Sequence, residues 1–219
     1  MLTSYYVPHV QRLIHDAAGS DYSTTRIVDA VNEARFVVAG DTGCLRSLQN
    51  LSLTVGQESY AFCSLPLGPN MSMVQDIVDL SIYLSGSSGP YIPLLYMPWS
   101  EFSAKVRAVW VGQGLPEAWT LYGQSTFYIS PVPSSAYTLI ADTVQLPGVL
   151  QNDTDAEAIA YPFYRLVEWY ACHLLSLRDD PNLSATFLKA YQQKLVDVQG
   201  SVSTRRLSAS STIWQPERR

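Results

Sequence analysis

The chain has 219 residues, 47% of them apolar, 11% aromatic and 15% charged, with 14 Lys and Arg against 19 Asp and Glu for a formal net charge of −5. That length and apolar content support a sizeable core without disulfide or metal staples and exclude disorder for most of the chain, while the charge content falls well short of the usual quarter. No apolar run approaches the ~20 residues of a membrane span and no charged start leads into an apolar stretch, so neither insertion nor export is expected.

In chain order, Tyr5, Val10, Leu13 and Ile14 recur at helix-like intervals and predict a short first helix that ends by Gly19. Asp21 or Ser23 can cap a second, whose Ile27, Val31, Ala34 and Val38 keep a period near 3.6 until Gly40 and Gly43 stop it. From Leu45 the period changes to two. Residues 51–55 alternate, Gly56-Gln57 can turn, and residues 59–62 run back, the pattern of a hairpin half-buried on one face. Residues 76–84, 91–96, 118–122, 126–129 and 137–144 read likewise as strands between Gly, Pro and Ser clusters, with one short amphipathic helix over 99–109 carrying Phe102, Val106 and Val109. The strongest helical signal follows: Phe163, Leu166, Val167, Tyr170, Ala171, Leu174 and Leu175 at i, i+3, i+4, i+7, i+8, i+11 and i+12. Asp180 then caps a last helix with Pro181 in its first turn, continuing through Phe187, Tyr191 and Leu195 to Gly200. Residues 201–219 are Ser/Thr-rich and basic and read as an extended arm.

The expected class is therefore α+β: a helical bundle from residues 1–44 and 150–200, an inserted antiparallel β-sandwich or barrel-like domain over 45–149, and an extended C-terminal arm over 201–219. Charge is segregated along this plan. Residues 108–164 hold no Lys or Arg but five acids, and the arm sets four arginines against Glu217, leaving it at +3 and residues 1–200 at −8. An acidic body supplies no basic face for sequence-reading nucleic-acid binding.

No constellation for chemistry stands out. Gly112-Gln113-Gly114 lacks the further glycines and the Lys of a phosphate loop and reads as a turn. Cys44, Cys63 and Cys172 fit neither a disulfide framework nor a zinc site, and His9, His15 and His173 share no helix face with a second ligand, so no metal or cofactor is expected. Cys172 and His173 are helix neighbours that point apart, Asp179-Asp180 suits a helix cap, and Asp76 and Asp79, three apart in a strand, are expected on opposite sides of a sheet. With fourteen Tyr and five Trp in a chain so low in charge, extensive subunit contact is favoured over a carbohydrate platform.

Several stretches in order resemble the head-to-tail adaptor (connector) proteins of tailed bacteriophages, including the tail tubular protein A type. They are Ile27-Val28-Asp29-Ala30-Val31-Asn32-Glu33-Ala34-Arg35, Leu53-Thr54-Val55-Gly56-Gln57-Glu58-Ser59-Tyr60-Ala61, Asp76-Ile77, the run from Thr126 to Pro133 and Asp179-Asp180-Pro181, together spanning residues 20–200. The chain departs from that pattern where Phe62-Cys63-Ser64 precedes Leu65-Pro66. The resemblance implies a structural virion protein without enzymatic activity, made in the host cytoplasm and built into the neck as a homo-oligomeric, twelve-subunit ring. The ring would join the portal protein to the tail nozzle or tail tube protein, with genomic DNA passing through its lumen without sequence-specific binding. It also implies a portal-docking arm, here Arg205, Arg206, Ile213, Trp214, Arg218 and Arg219. The alternative readings are a β-sandwich receptor- or carbohydrate-binding tail module, and a cell-wall hydrolase, for which no spacing marks the required carboxylate pair.

Overall fold

The computed structural model describes residues 5–16, 18–83, 90–107 and 112–210, with side chains up to residue 200. Its helices are α1 (Val7–Leu13), α2 (Thr24–Thr42), α3 (Trp99–Glu101), α4 (Tyr164–Ser176) and α5 (Pro181–Ser210). Its strands are β1 (Arg46–Ser52), β2 (Ser59–Ala61), β3 (Met71–Tyr83), β4 (Tyr91–Pro93), β5 (Leu95–Tyr96), β6 (Gln113–Gly114), β7 (Ala118–Tyr122), β8 (Thr126–Ser130), β9 (Val132–Pro133) and β10 (Thr138–Pro147). The protein is α+β, and among the described residues no sheet closes into a barrel. It divides into two compact units, one of Met1–Thr42 with Val149–Arg219 and one of Gly43–Gly148.

In the helical unit the apolar period does what it predicts. Ser23 caps α2, its Oγ accepting the Arg26 N–H at 3.3 Å, and Ile27, Val31, Ala34 and Val38 are all buried. The helix runs through Gly40 and stops only before Gly43, whose φ of +56° is the left-handed turn that glycine adopts without strain. Helix α4 lies against α1, α2 and α5, burying Leu166, Val167, Ala171 and Leu175. Asp180 caps α5, its Oδ1 accepting the N–H groups of Asn182 and Leu183 at 3.0 and 3.1 Å. The expected stop at Gly200 does not occur: α5 continues to Ser210, so residues 201–210 are helical rather than an extended arm. A helical glycine costs only ~1 kcal/mol relative to alanine, and it ends a helix when the chain turns left-handed there; Gly200 is not among the positive-φ residues. Residues 211–219 lie outside the described residues.

In the second unit one sheet has the order β1-β10-β3-β4, another β2-β8-β7-β5, and β6 pairs β9. Most ladders are antiparallel, but β5 with β7 and β6 with β9 are parallel. Leu53, Leu80, Ile82 and Leu139 pack with Trp119, Phe127 and Ile129 in one shared core.

Three expectations change here. First, residues 51–55 and 59–62 are not a hairpin: β1 pairs β10 and β2 pairs β8, in different sheets. The chain turns a corner instead. Leu53 donates to Tyr137 O at 2.8 Å, Gln57 N–H closes on Thr54 O at 3.1 Å around Gly56 at φ +79°, and the Tyr60 hydroxyl takes the Thr54 N–H at 3.0 Å. Gly-Gln turn chemistry suits such a corner as well as a hairpin. Second, residues 91–96 split between β4 and β5 around buried Leu94, and the helix over 99–109 is α3 followed by a π-helical stretch, Phe102–Arg107, with Val109 outside the described residues. Third, Asp76 and Asp79 share a face. Register shifts in the β10 ladder pass over Gln75 and Val78, so Asp76 stands opposite Val144 and Asp79 opposite Asp142, two residues apart on one partner strand. Each bulge adds a residue and restores the same side, which is why Val74, Ile77 and Leu80 are buried at a period of three.

Candidate interaction surfaces

The helical unit is held by a buried ionic cluster that positions its outer elements. Arg35 sits on the apolar face of α2, four residues after Val31, and its side chain is 1% exposed. Its Nε lies 3.1 and 3.0 Å from the two Glu157 carboxylate oxygens, its Nη2 donates to Glu157 Oε1 at 2.9 Å, and Nη1 donates to Asn32 Oδ1 at 3.2 Å. Asn32 in turn bonds both backbone groups of Leu150, at 3.0 and 2.9 Å. The Tyr6 hydroxyl donates to Glu157 Oε2 at 2.8 Å, and burial followed by the Glu157 charge pushes its pKa far above the ordinary value. One carboxylate thus ties the segment before α1 and the loop before α4 to α2. Neither partner stood out in sequence as a pair, although an arginine among buried helix positions already demands a counter-charge.

Helix α5 is buried in this unit only over its first turns. Ser184, Phe187 and Tyr191 are buried, Phe187 packing on Trp169 with ring centroids 6.2 Å apart and Tyr191 on Tyr170 at 5.0 Å. The Tyr191 hydroxyl donates to Asp41 at 2.7 Å. After Tyr191 no residue up to 200 is buried. The lengths explain this: at 1.5 Å per residue α5 spans ~45 Å and α4 ~20 Å, so the distal half of α5 outruns the helix it packs on. Arg205 and Arg206 lie on that distal half. Ile213, Trp214, Arg218 and Arg219 lie outside the described residues.

In the β unit, the outer face of the second sheet is covered by α3 and the π-helical stretch, where Phe102 and Val106 pack on Ala118. Beside them Trp99 meets Tyr122 at 4.5 Å and Tyr128 at 5.1 Å, and the Arg107 guanidinium lies 6.0 Å over Trp99 and 5.8 Å over Tyr128 while pairing with Glu58 at 3.0 Å. The Trp99, Tyr122 and Tyr128 rings are inclined by 51° to 84°, so they pack on one another and present no flat platform for stacking sugar rings. In the first sheet Leu48 and Tyr91 are exposed on the two edge strands.

Among the described residues no three His, Cys, Asp or Glu side chains gather as metal ligands, and no helix is long and apolar enough to cross a membrane. Cys172 is buried, and the His173 ring meets Ser184 rather than the thiol, with Ser184 Oγ 2.8 Å from its Nδ1. Asp180 is a cap, as expected, and Asp179 pairs with Arg26 at 3.4 Å.

No curated protein matches the sequence. A model of the SU10 adaptor protein family matches residues 7–214, nearly the whole chain, and this protein belongs to that family.

Proposed function

We propose that this protein is a head-to-tail adaptor in the neck of a tailed bacteriophage virion, a structural part rather than an enzyme. Copies of the chain form a ring, of twelve subunits by the resemblance, between the portal protein and the tail nozzle or tail tube protein, with a lumen through which genomic DNA passes. The observation that carries this reading is the family match over residues 7–214, which takes in both units and the distal part of α5. Two physical features support it. Residues 1–200 carry a net charge of −8 and offer DNA no phosphate-neutralising face to stick to. Helix α5 buries no residue from 192 to 200 and continues through Arg205 and Arg206 to Ser210, as an element does whose partner is another protein. In this reading Trp214 and Ile213 fill a groove on the portal, and Arg205, Arg206, Arg218 and Arg219 supply charge complementarity.

Deleting residues 201–219 and measuring co-sedimentation with purified portal rings tests the docking arm. Binding is expected to be lost, and unchanged binding would remove the arm from the interface. Electron microscopy of full-length protein mixed with portal tests the function itself: a second ring stacked under the portal is expected, and its absence would overturn the adaptor reading.

A further inference from the structure

The parity of the β1–β10 ladder decides which backbone groups of β1 are already taken. Gln145 N–H donates to Leu45 O and Leu53 N–H to Tyr137 O, each at 2.8 Å, and between them Ser47, Gln49 and Leu51 stand opposite Thr143, Ala141 and Leu139. Odd-numbered residues therefore bond to β10, and the N–H and C=O groups of Arg46, Leu48, Asn50 and Ser52 point to the open side. At the opposite edge of the same sheet, Leu94 N–H donates to Leu80 O at 2.8 Å and Ile92 stands opposite Ile82, so the N–H and C=O of Tyr91 point outward. No hydrogen bond among the described residues takes these outward groups.

Proteins normally blunt an open edge with a proline, a bulge or an unpaired charge. Strand β1 has none of these: its ladder is unbroken over seven pairs, and its one charge, Arg46, is neutralised by Asp142. Strand β4 is uncharged and short and ends at Pro93, which has no N–H, so its outward edge offers the N–H and C=O of Tyr91 and the C=O of Pro93. On the outer face the two edges carry apolar side chains, Leu48 at 71% and Tyr91 at 61% exposure, bordering a depression of about 400 Å³ with Tyr83 and Ile140. In a chain of net charge −5, copies repel least where charge is locally balanced, and both edges meet that condition.

We propose that β1 of one copy pairs antiparallel with β4 of the next, so that the first sheet continues from copy to copy with Tyr91 of the neighbouring copy opposite Asn50 and its Pro93 opposite Leu48. The contact joins unlike edges of one sheet and is heterologous, the kind that closes into a ring, whereas β1 against β1 would stop at a dimer. The proposal rests on the ring reading above and names the surface that builds the ring.

Hydrogen exchange at residue resolution on the full chain, alone and assembled on portal rings, tests it. The amides of Leu48, Asn50 and Tyr91 are expected to slow at least tenfold on assembly, while those of Gln49 and Leu51 are slow in both states. Rings seen by electron microscopy with Leu48 and Asn50 still exchanging freely would overturn the edge contact and leave the ring reading standing. Protection of Leu48 and Asn50 without Tyr91 would overturn the choice of β4 as partner strand. No ring at all would overturn the ring reading, and this proposal with it. Asn50→Pro removes one outward N–H and leaves the β10 ladder intact; it is expected to abolish rings with the far-ultraviolet spectrum unchanged, and undiminished ring formation would refute the proposal.

Discussion

Replacing Glu157 by Gln keeps the shape of the side chain and leaves the Arg35 guanidinium charged in a site where its side chain is 1% exposed. The carboxylate it removes accepts from Arg35 Nε and Nη2, from the Tyr6 hydroxyl at 2.8 Å and from the Ile159 N–H at 2.9 Å. An amide offers one acceptor oxygen where the carboxylate offers two, so at least one of these donors loses its partner. Breaking a buried pair by removing one partner costs about 3–5 kcal/mol. With a urea slope of about 2 kcal/mol/M, that shifts the unfolding midpoint down by about 1.5–2.5 M. The assay is urea unfolding followed at 222 nm, a signal dominated by α2, α4 and α5. Changing Arg35→Met, Glu157→Leu and Tyr6→Phe together removes the charges and the orphaned hydroxyl at once, and is expected to lose less stability than Glu157→Gln alone. A loss below about 1 kcal/mol for Glu157→Gln, the range of solvent-exposed pairs, would refute the buried-pair argument.

The Asp16 carboxylate accepts the backbone N–H groups of Tyr22, Ser20 and Asp21 at 2.9, 2.8 and 3.2 Å, and the Tyr22 bond foremost holds its pKa below the ordinary 3.8. Because the folded value lies below the unfolded one, this stabilisation is present above the ordinary carboxylate range and is lost as pH falls through the lowered value. Asp16→Asn should therefore flatten the acid limb of a plot of urea midpoint against pH, and a limb identical to wild type would exclude Asp16 as a contributor. Burial, then the Glu168 charge, push the Cys172 thiol up to about 12, which cuts its thiolate fraction at pH 8 by about a thousandfold relative to a free cysteine. Maleimide labelling of the native protein should mark exposed Cys63 and spare Cys172 until unfolding; equal rates at the two would show that α4 opens readily.

Helices were legible in the sequence because their signal is local. The spacing of Ile27, Val31, Ala34 and Val38 states which face of α2 is buried before any partner is known. Strand positions such as residues 137–144 were legible for the same reason, from alternation between turn residues. What alternation leaves open is the partner: residues 51–55 satisfy a hairpin as well as they satisfy a corner, and only the Tyr60 hydroxyl over Thr54 and the β10 ladder decide between them. Bulges are equally silent. They put Asp76 and Asp79 on one face against the two-residue period, and nothing in the residues themselves marks Gln75 or Val78 as the extra position.

Composition and order by themselves determined an α+β protein with an acidic body, because charge, turn chemistry and helical period are properties of short stretches. The resemblance to adaptors was likewise carried by stretches in order. Tertiary structure alone decided that Arg35 and Glu157 meet across 122 residues, that α5 runs on past Gly200, and that β1 is an edge strand among the described residues. These depend on which distant groups are brought within reach in a medium where an unpaired charge or backbone group is costly, and that is a property of the packed chain rather than of any segment of it.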